Sequence, residues 1–106
     1  MPKDSELSNK SIENYVNIQK NLMNEKRIRI LLLLKKGAST WSVIMHQLDI
    51  RNPKLLHDHI TTLNSLSLIE KDKDGFYHIT KFGKLCLDSN ISQINKILGL
   101  DLEKTK

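Results

Sequence analysis

Cysteine is nearly absent. Cys86 is the only one in 106 residues, which excludes an internal disulfide framework and leaves the compartment unmarked by thiol usage. Long apolar runs are missing as well: the longest, Ile30 to Leu34, is far short of the roughly 20 residues a membrane span needs. The opening stretch MPKDSELSNKS has no apolar segment of the secretory kind. Aromatic residues make up 5% of the chain, and no platform emerges for the base stacking on which RNA recognition usually rests. Nor is there a phosphate loop, a nucleophile elbow or a pair of carboxylates at working spacing. These absences predict a soluble cytoplasmic protein that is not an enzyme, carries no cofactor and does not enter a membrane.

What is present suits one compact domain. Hydrophobic residues are 39% and charged residues 27%, with a net charge of +5, a balance that favours a polyanionic partner without requiring one. The polar start, 1–10, is expected to fray, 11–99 to form the domain, and 100–106 to remain a polar tail. Ile12, Tyr15, Val16, Ile18 and Leu22 recur at helical spacing and predict a helix over 11–23. A second helix is expected over 26–36; its IRILLLL body is apolar nearly all round, as in a helix buried on most sides. Lys35-Lys36-Gly37 ends it with cations at the negative pole and a residue tolerant of left-handed geometry.

Ala38-Ser39 reads as a short strand, with Ser39 or Thr40 capping a third helix that carries Trp41, Ile44, Met45 and Leu48 on one stripe. Trp41 admits stacking on nucleic acid, but its place in that stripe favours core packing. After a turn at Asp49 to Asn52, Asn52-Pro53 restarts a helix: an N-cap side chain, then a proline where no N–H is needed. That helix runs over about 53–65 with Leu56, Ile60 and Leu63 on one face. The period then changes to two. Leu68 to Lys71 and Phe76 to Ile79 flank an Asp-Gly turn, predicting a hairpin over about 68–79 with Ile69, Tyr77 and Ile79 inward. Thr80 caps a fifth helix, the pattern breaks near Asp88-Ser89-Asn90, and a last helix over about 90–99 carries Ile91, Ile94, Ile97 and Leu98.

The order of these elements is that of a winged helix-turn-helix, mainly α with a small β-hairpin wing. On the residues, His59-Ile60-Thr61-Thr62-Leu63-Asn64-Ser65-Leu66-Ser67-Leu68-Ile69 resembles the end of the recognition helix in ArsR- and MarR-like regulators. Those proteins usually place glycine where this chain has Ser67. Tyr77-His78-Ile79-Thr80-Lys81-Phe82-Gly83 resembles their passage from wing to following helix, and small archaeal or archaeal-virus members look most similar. The resemblance implies a transcription regulator that reads double-stranded DNA with the helix over 53–65 in the major groove and the wing on the backbone or minor groove. The paired-cysteine metal site of many ArsR-like sensors is absent.

With Leu56, Ile60 and Leu63 inward, Lys54, His57, Asp58, Thr61 and Thr62 point outward toward base edges. Arg51 and Asn52 stand at the helix start, where phosphate is favoured, and Lys71 and Lys73 stand on the wing. The charge distribution argues the other way. From Gly37 to Ile79 there are four basic residues (Arg51, Lys54, Lys71, Lys73) and five acidic ones (Asp49, Asp58, Glu70, Asp72, Asp74), so a monomer should bind DNA weakly. The alternative is a winged-helix module that binds other proteins and reads no bases. Metal binding is not expected, because His57 and His59 are two apart and project to different faces. His59 is expected to pack against a neighbouring helix and Cys86 to behave as a small buried hydrophobe, with a redox role as its alternative. The apolar stripes near the two ends exceed what a small core needs, which predicts a two-fold homodimer through the terminal helices.

Overall fold

The computed structural model describes residues 8–99, so the expected tail over 100–106 and most of the expected frayed start lie outside the described residues. Asn9 and Lys10, assigned above to that start, belong to the first helix. Five helices and three strands run in the order α1 (Asn9–Leu22), α2 (Glu25–Lys36), β1 (Ser39–Thr40), α3 (Trp41–Gln47), α4 (Pro53–Ser65), β2 (Ile69–Lys71), β3 (Phe76–Ile79) and α5 (Lys81–Leu98) among the described residues. This is the winged helix-turn-helix arrangement. No described helix is long and apolar enough to cross a membrane.

Each helix starts on a side-chain cap, which satisfies one of the otherwise orphaned N–H groups of the first turn. Ser8, Asn24, Thr40, Asn52 and Thr80 accept from Ser11, Arg27, Val43, Lys54 and Gly83 respectively. The ends of α3 and α4 share one device. Asp49 N–H donates to the His46 carbonyl and Ile50 N–H to that of Met45, while Ser67 N–H donates to Asn64 and Leu68 N–H to Leu63. Both are Schellman closures, in which one residue turns left-handed so that its own amide and the next reach back. The left-handed residues are Asp49 (φ 52°) and Ser67 (φ 62°).

Ser67, where the resemblance leads one to expect glycine, is thus held left-handed. A side chain in that conformation costs about 1–2 kcal/mol, partly offset by the roughly 0.5–1 kcal/mol that glycine forfeits through freedom in the unfolded chain. Ser67→Gly is therefore expected to raise stability by about 0.5–1 kcal/mol in urea denaturation. A loss of stability would show that the serine hydroxyl has a role of its own.

The core gathers one face from nearly every element: Leu22, Ile30, Leu31, Leu34, Ile44, Ile50, Leu56, Ile60, Leu63, Leu68, Ile69, Tyr77 and Leu87. Burying each such side chain is worth about 1.5–3 kcal/mol. The helix α2 lies at its centre, though it is less enclosed than its composition suggests, since Leu32 is exposed. Trp41 and Cys86 are half-buried and pack against the core. The strands form one antiparallel sheet in the order β1-β3-β2. Ile69 pairs with Ile79 and Lys71 with Tyr77, and Ser39 pairs with Tyr77 across the other edge. The short first strand therefore extends the wing to three strands, one residue later in the chain than the expected Ala38-Ser39.

One expectation fails. The break near Asp88-Ser89-Asn90 does not occur, and α5 runs unbroken from Lys81 to Leu98. The reason is that Asn90 is buried and bonded: its side chain donates to the Cys86 carbonyl at 2.8 Å and exchanges amide hydrogen bonds with Gln19 of α1. A residue that favours turns in isolation is held in a helix by a back-bond and a tertiary partner.

Candidate nucleic-acid interface

The unit α3–turn–α4 is fixed from within. On α4, Leu56, His59, Ile60 and Leu63 are buried, and Leu56, Ile60 and Leu63 are held in the apolar core. Lys54, His57, Asp58 and Thr61 are exposed on the opposite face, and Thr62 is half-buried at its margin. The His57 ring lies against the Trp41 ring with centroids 6.4 Å apart, and its Nε2 sits 3.4 Å from the Thr61 hydroxyl. Trp41 thus packs against the core, as its stripe predicts, with its ring beside that of His57.

At the start of α4 the expected cluster is partly occupied. The Asn52 side-chain oxygen accepts the Lys54 N–H at 2.9 Å, so it caps the helix. Arg51 pairs with Asp49 at 3.3 Å in full solvent exposure, an interaction worth little and readily exchanged for another anion.

The wing is organised by an acidic residue. One oxygen of Asp72 accepts the N–H groups of Asp74 (2.9 Å) and Phe76 (3.0 Å), and the other lies 2.7 Å from His78 Nε2. The His78 hydrogen bond, followed by that from Phe76, holds the Asp72 carboxyl below the usual carboxylate range. Gly75 completes the turn at φ 88°, where a side chain would be strained. Asp72 is thus spent on wing geometry, which its Asp-x-Asp-Gly context could have signalled as an Asx turn. Lys71 lies over the Tyr77 ring at 5.7 Å, and Lys73 is exposed near the tip.

Some of the cations outside this unit are engaged within the fold. Lys26 donates to the Leu48 carbonyl at the end of α3 (3.4 Å), Arg29 pairs with Glu25 (2.8 Å), and Lys35 pairs with Asp88 (2.6 Å).

His59 is packed against α2, as expected, through a specific bond. Arg27 Nε donates to His59 Nδ1 at 3.0 Å, and the same guanidinium donates to the Asn21 carbonyl at 2.9 Å. Burial, then the charge of Arg27, lowers the pKa of His59, with Asp58 opposing and Lys26 adding to the fall. The folded ring therefore holds a proton less readily than the unfolded one. This contribution to stability is complete above the ordinary histidine range and is lost as pH falls toward the folded value.

The outer faces of α1 and α5 form a second, apolar surface. Tyr15 and Leu85 are exposed there. An open groove of about 850 Å³ between the two helices is lined by Tyr15, Ile18, Phe82, Leu85 and Cys86 together with polar residues such as Asn14, Gln19, Ser89 and Gln93. Burial pushes the Cys86 thiol up, away from the reactive thiolate. Among the described residues no cluster of three or more His, Cys, Asp or Glu side chains could hold a metal ion.

No protein-family model matches the sequence, and no curated protein matches it significantly. Solved structures do. The homodimeric winged helix-turn-helix DNA-binding domain of Mb0332 from Mycobacterium bovis, described as a possible ArsR-family transcriptional regulator, superposes with a TM-score of 0.71. It shares 21% identity, over 91% of each chain. The transcriptional repressor BigR from Xylella fastidiosa gives 0.63 at 18% identity, over 87% of this chain and 90% of that one. ZitR from Lactococcus lactis gives 0.61 at 21% identity over 76% of this chain, which spans only 57% of ZitR. At these identities the likeness establishes the fold.

Proposed function

We propose that this protein is a transcription regulator of the ArsR/MarR-like kind that binds double-stranded DNA in a sequence-specific way, with α4 in the major groove and the wing on the backbone or minor groove. The observation that carries the reading is the geometry of α4. One face is locked into the core by Leu56, Ile60 and Leu63, while Lys54, His57, Asp58 and Thr61 stand free on the other. A helix so presented, beside a rigid wing, suits a major groove wide enough for one helix. The description of Mb0332 as a DNA-binding domain and of BigR as a transcriptional repressor lends support. In this reading Arg51 meets phosphate at the start of α4, Thr62 flanks the base-reading row, and Lys71 and Lys73 meet the backbone. Asn52 contributes as the cap that orients the helix start.

The protein works as a homodimer, is not an enzyme, needs no metal or cofactor and acts in the cytoplasm. An archaeal or archaeal-virus kinship follows from the sequence resemblance alone. A second reading, a protein-interaction module, is favoured by one observation: the near-neutral charge of the reading unit, with five acidic residues against four basic.

Titration against duplex at about 50 mM and about 200 mM salt separates the two readings, because phosphate contacts release counterions and interaction modules release none. Lys54→Ala or Thr61→Ala is expected to cost roughly 1–3 kcal/mol on a specific site, and Lys71→Ala or Lys73→Ala to weaken all sequences and flatten the salt slope by about one ion each. Leu56→Ala would mislead, since a loss of about 2–5 kcal/mol of stability mimics lost binding. No salt-sensitive binding of the wild type to any duplex would replace the DNA-binding reading with the interaction reading.

A further inference from the structure

The contact between Arg27 and His59 joins three elements that the DNA-binding reading leaves mechanically unrelated. Asn21 lies in the last turn of α1, Arg27 in the first turn of α2, and His59 at the centre of α4. His59 is only 5% exposed, and its Nδ1 accepts from a guanidinium that also grips the end of α1. With Nδ1 accepting, the ring proton sits on Nε2 and the ring is neutral. Adding a proton from solvent fills the Nδ1 lone pair. The hydrogen bond to Arg27 is then lost and two cations face each other inside the fold.

We propose that Arg27 and His59 form a proton-sensitive latch that holds the reading helix α4 in register with α1 and α2, so that duplex affinity falls as the pH is lowered. The proposal rests on the DNA-binding reading above. The charged groups acting on the ring are Arg27 and Lys26 from α2 and Asp58 from α4 itself; α1 brings the uncharged Asn21. Lys26 is turned to the Leu48 carbonyl, and Asp58 is exposed. The guanidinium is therefore the group in direct conflict with a proton on Nδ1. Release of the bond removes the polar tie on the packed face of α4 while Leu56, Ile60 and Leu63 keep that face in the core, so the expected consequence is a shift in helix setting and not unfolding.

The test follows a labelled duplex at constant salt from about pH 8 to about pH 5, the range in which histidine titrates. Wild type is compared with His59→Asn, whose side-chain oxygen replaces Nδ1 as acceptor and does not titrate, and with Arg27→Met. Ring resonances of His59 are followed by NMR in the same range. Relative to His59→Asn, wild-type affinity is expected to fall by up to roughly tenfold per pH unit once the ring takes up its proton. His46, His57 and His78 are common to both proteins, so their effects cancel in the comparison. In Arg27→Met the ring should titrate at a higher pH than in wild type, and the pH dependence of binding should move with it. Should His59→Asn fail to fold, the Arg27→Met comparison carries the same test. Parallel binding profiles, or a ring that titrates identically with and without Arg27, would overturn the latch alone. Failure of the wild type to bind any duplex at about pH 8 would instead remove the DNA-binding reading, and the latch as a control of binding with it.

Discussion

Gly83→Ala is expected to cost more than about 3 kcal/mol, a large share of the roughly 5–15 kcal/mol that holds a domain of this size together. A Cβ built on Gly83 collides with the backbone carbonyl oxygen of Leu68 and comes within 2.9 Å of the Ile79 side chain. The carbonyl cannot turn aside, because it accepts the N–H of Thr80 at 3.0 Å and the Thr80 hydroxyl at 3.2 Å. Thr80 in turn caps α5 by accepting the N–H of Gly83 at 2.8 Å. The methyl group would therefore push the start of α5 off the base of the wing and break the cap that begins it. Gly37→Ala is the matched control. It has nothing within 4 Å of the added atom and should change stability by no more than about 0.5 kcal/mol. Urea denaturation of the two variants checks the difference. Equal midpoints would mean that α5 stands clear of the Leu68 carbonyl in solution.

If the proposed dimer forms through the α1–α5 face, a negative charge there is expected to abolish it and lower duplex affinity by about 10²- to 10⁴-fold, the range by which linking two binding units exceeds one. Leu85→Glu and Tyr15→Glu are the variants to make. Both side chains are about two-thirds exposed, at 65% and 64%, so neither change empties the core of the single chain. Two chains joined on a two-fold axis would place two reading helices about 34 Å apart, one turn of DNA. A single near-neutral reading unit gains little from phosphate, so pairing should matter more here than in a strongly basic domain. Light scattering should give twice the chain mass of 12.3 kDa for the wild type and the single mass for Leu85→Glu. A single-chain mass for the wild type at tens of micromolar would end the dimer proposal.

Apolar periodicity is what makes the helices and strands legible in the sequence. Leu56, Ile60 and Leu63 repeat with the helical period, and Ile69, Tyr77 and Ile79 with the strand period, because a side chain must face the core to be buried. Punctuation is legible for a similar reason. Asn52-Pro53, Thr80 and Asp74-Gly75 act through bonds made within a few residues, which the chain specifies locally. The outward row of α4 follows from the inward one, so spacing alone points to the candidate contacts Lys54, His57, Asp58 and Thr61.

The sequence by itself therefore determined the element order as far as the start of α5, the buried stripe of α4 and the faces left over. Tertiary structure alone decided how distant residues were used. Asn90 stays helical because Gln19, 71 positions away in the chain, shares its amide bonds. Arg27 and His59 meet across 32 positions, and no local pattern marks a buried histidine as the acceptor of a guanidinium. Asp72 counts against DNA binding as a formal charge, yet its oxygens are taken up by the wing turn and His78. The requirement for glycine at position 83 likewise comes from a carbonyl 15 residues earlier in the chain. Local periodicity reports which way a side chain faces; only the packed fold supplies the partner that it meets there, because burial removes water and leaves each polar group to find its bond within the protein.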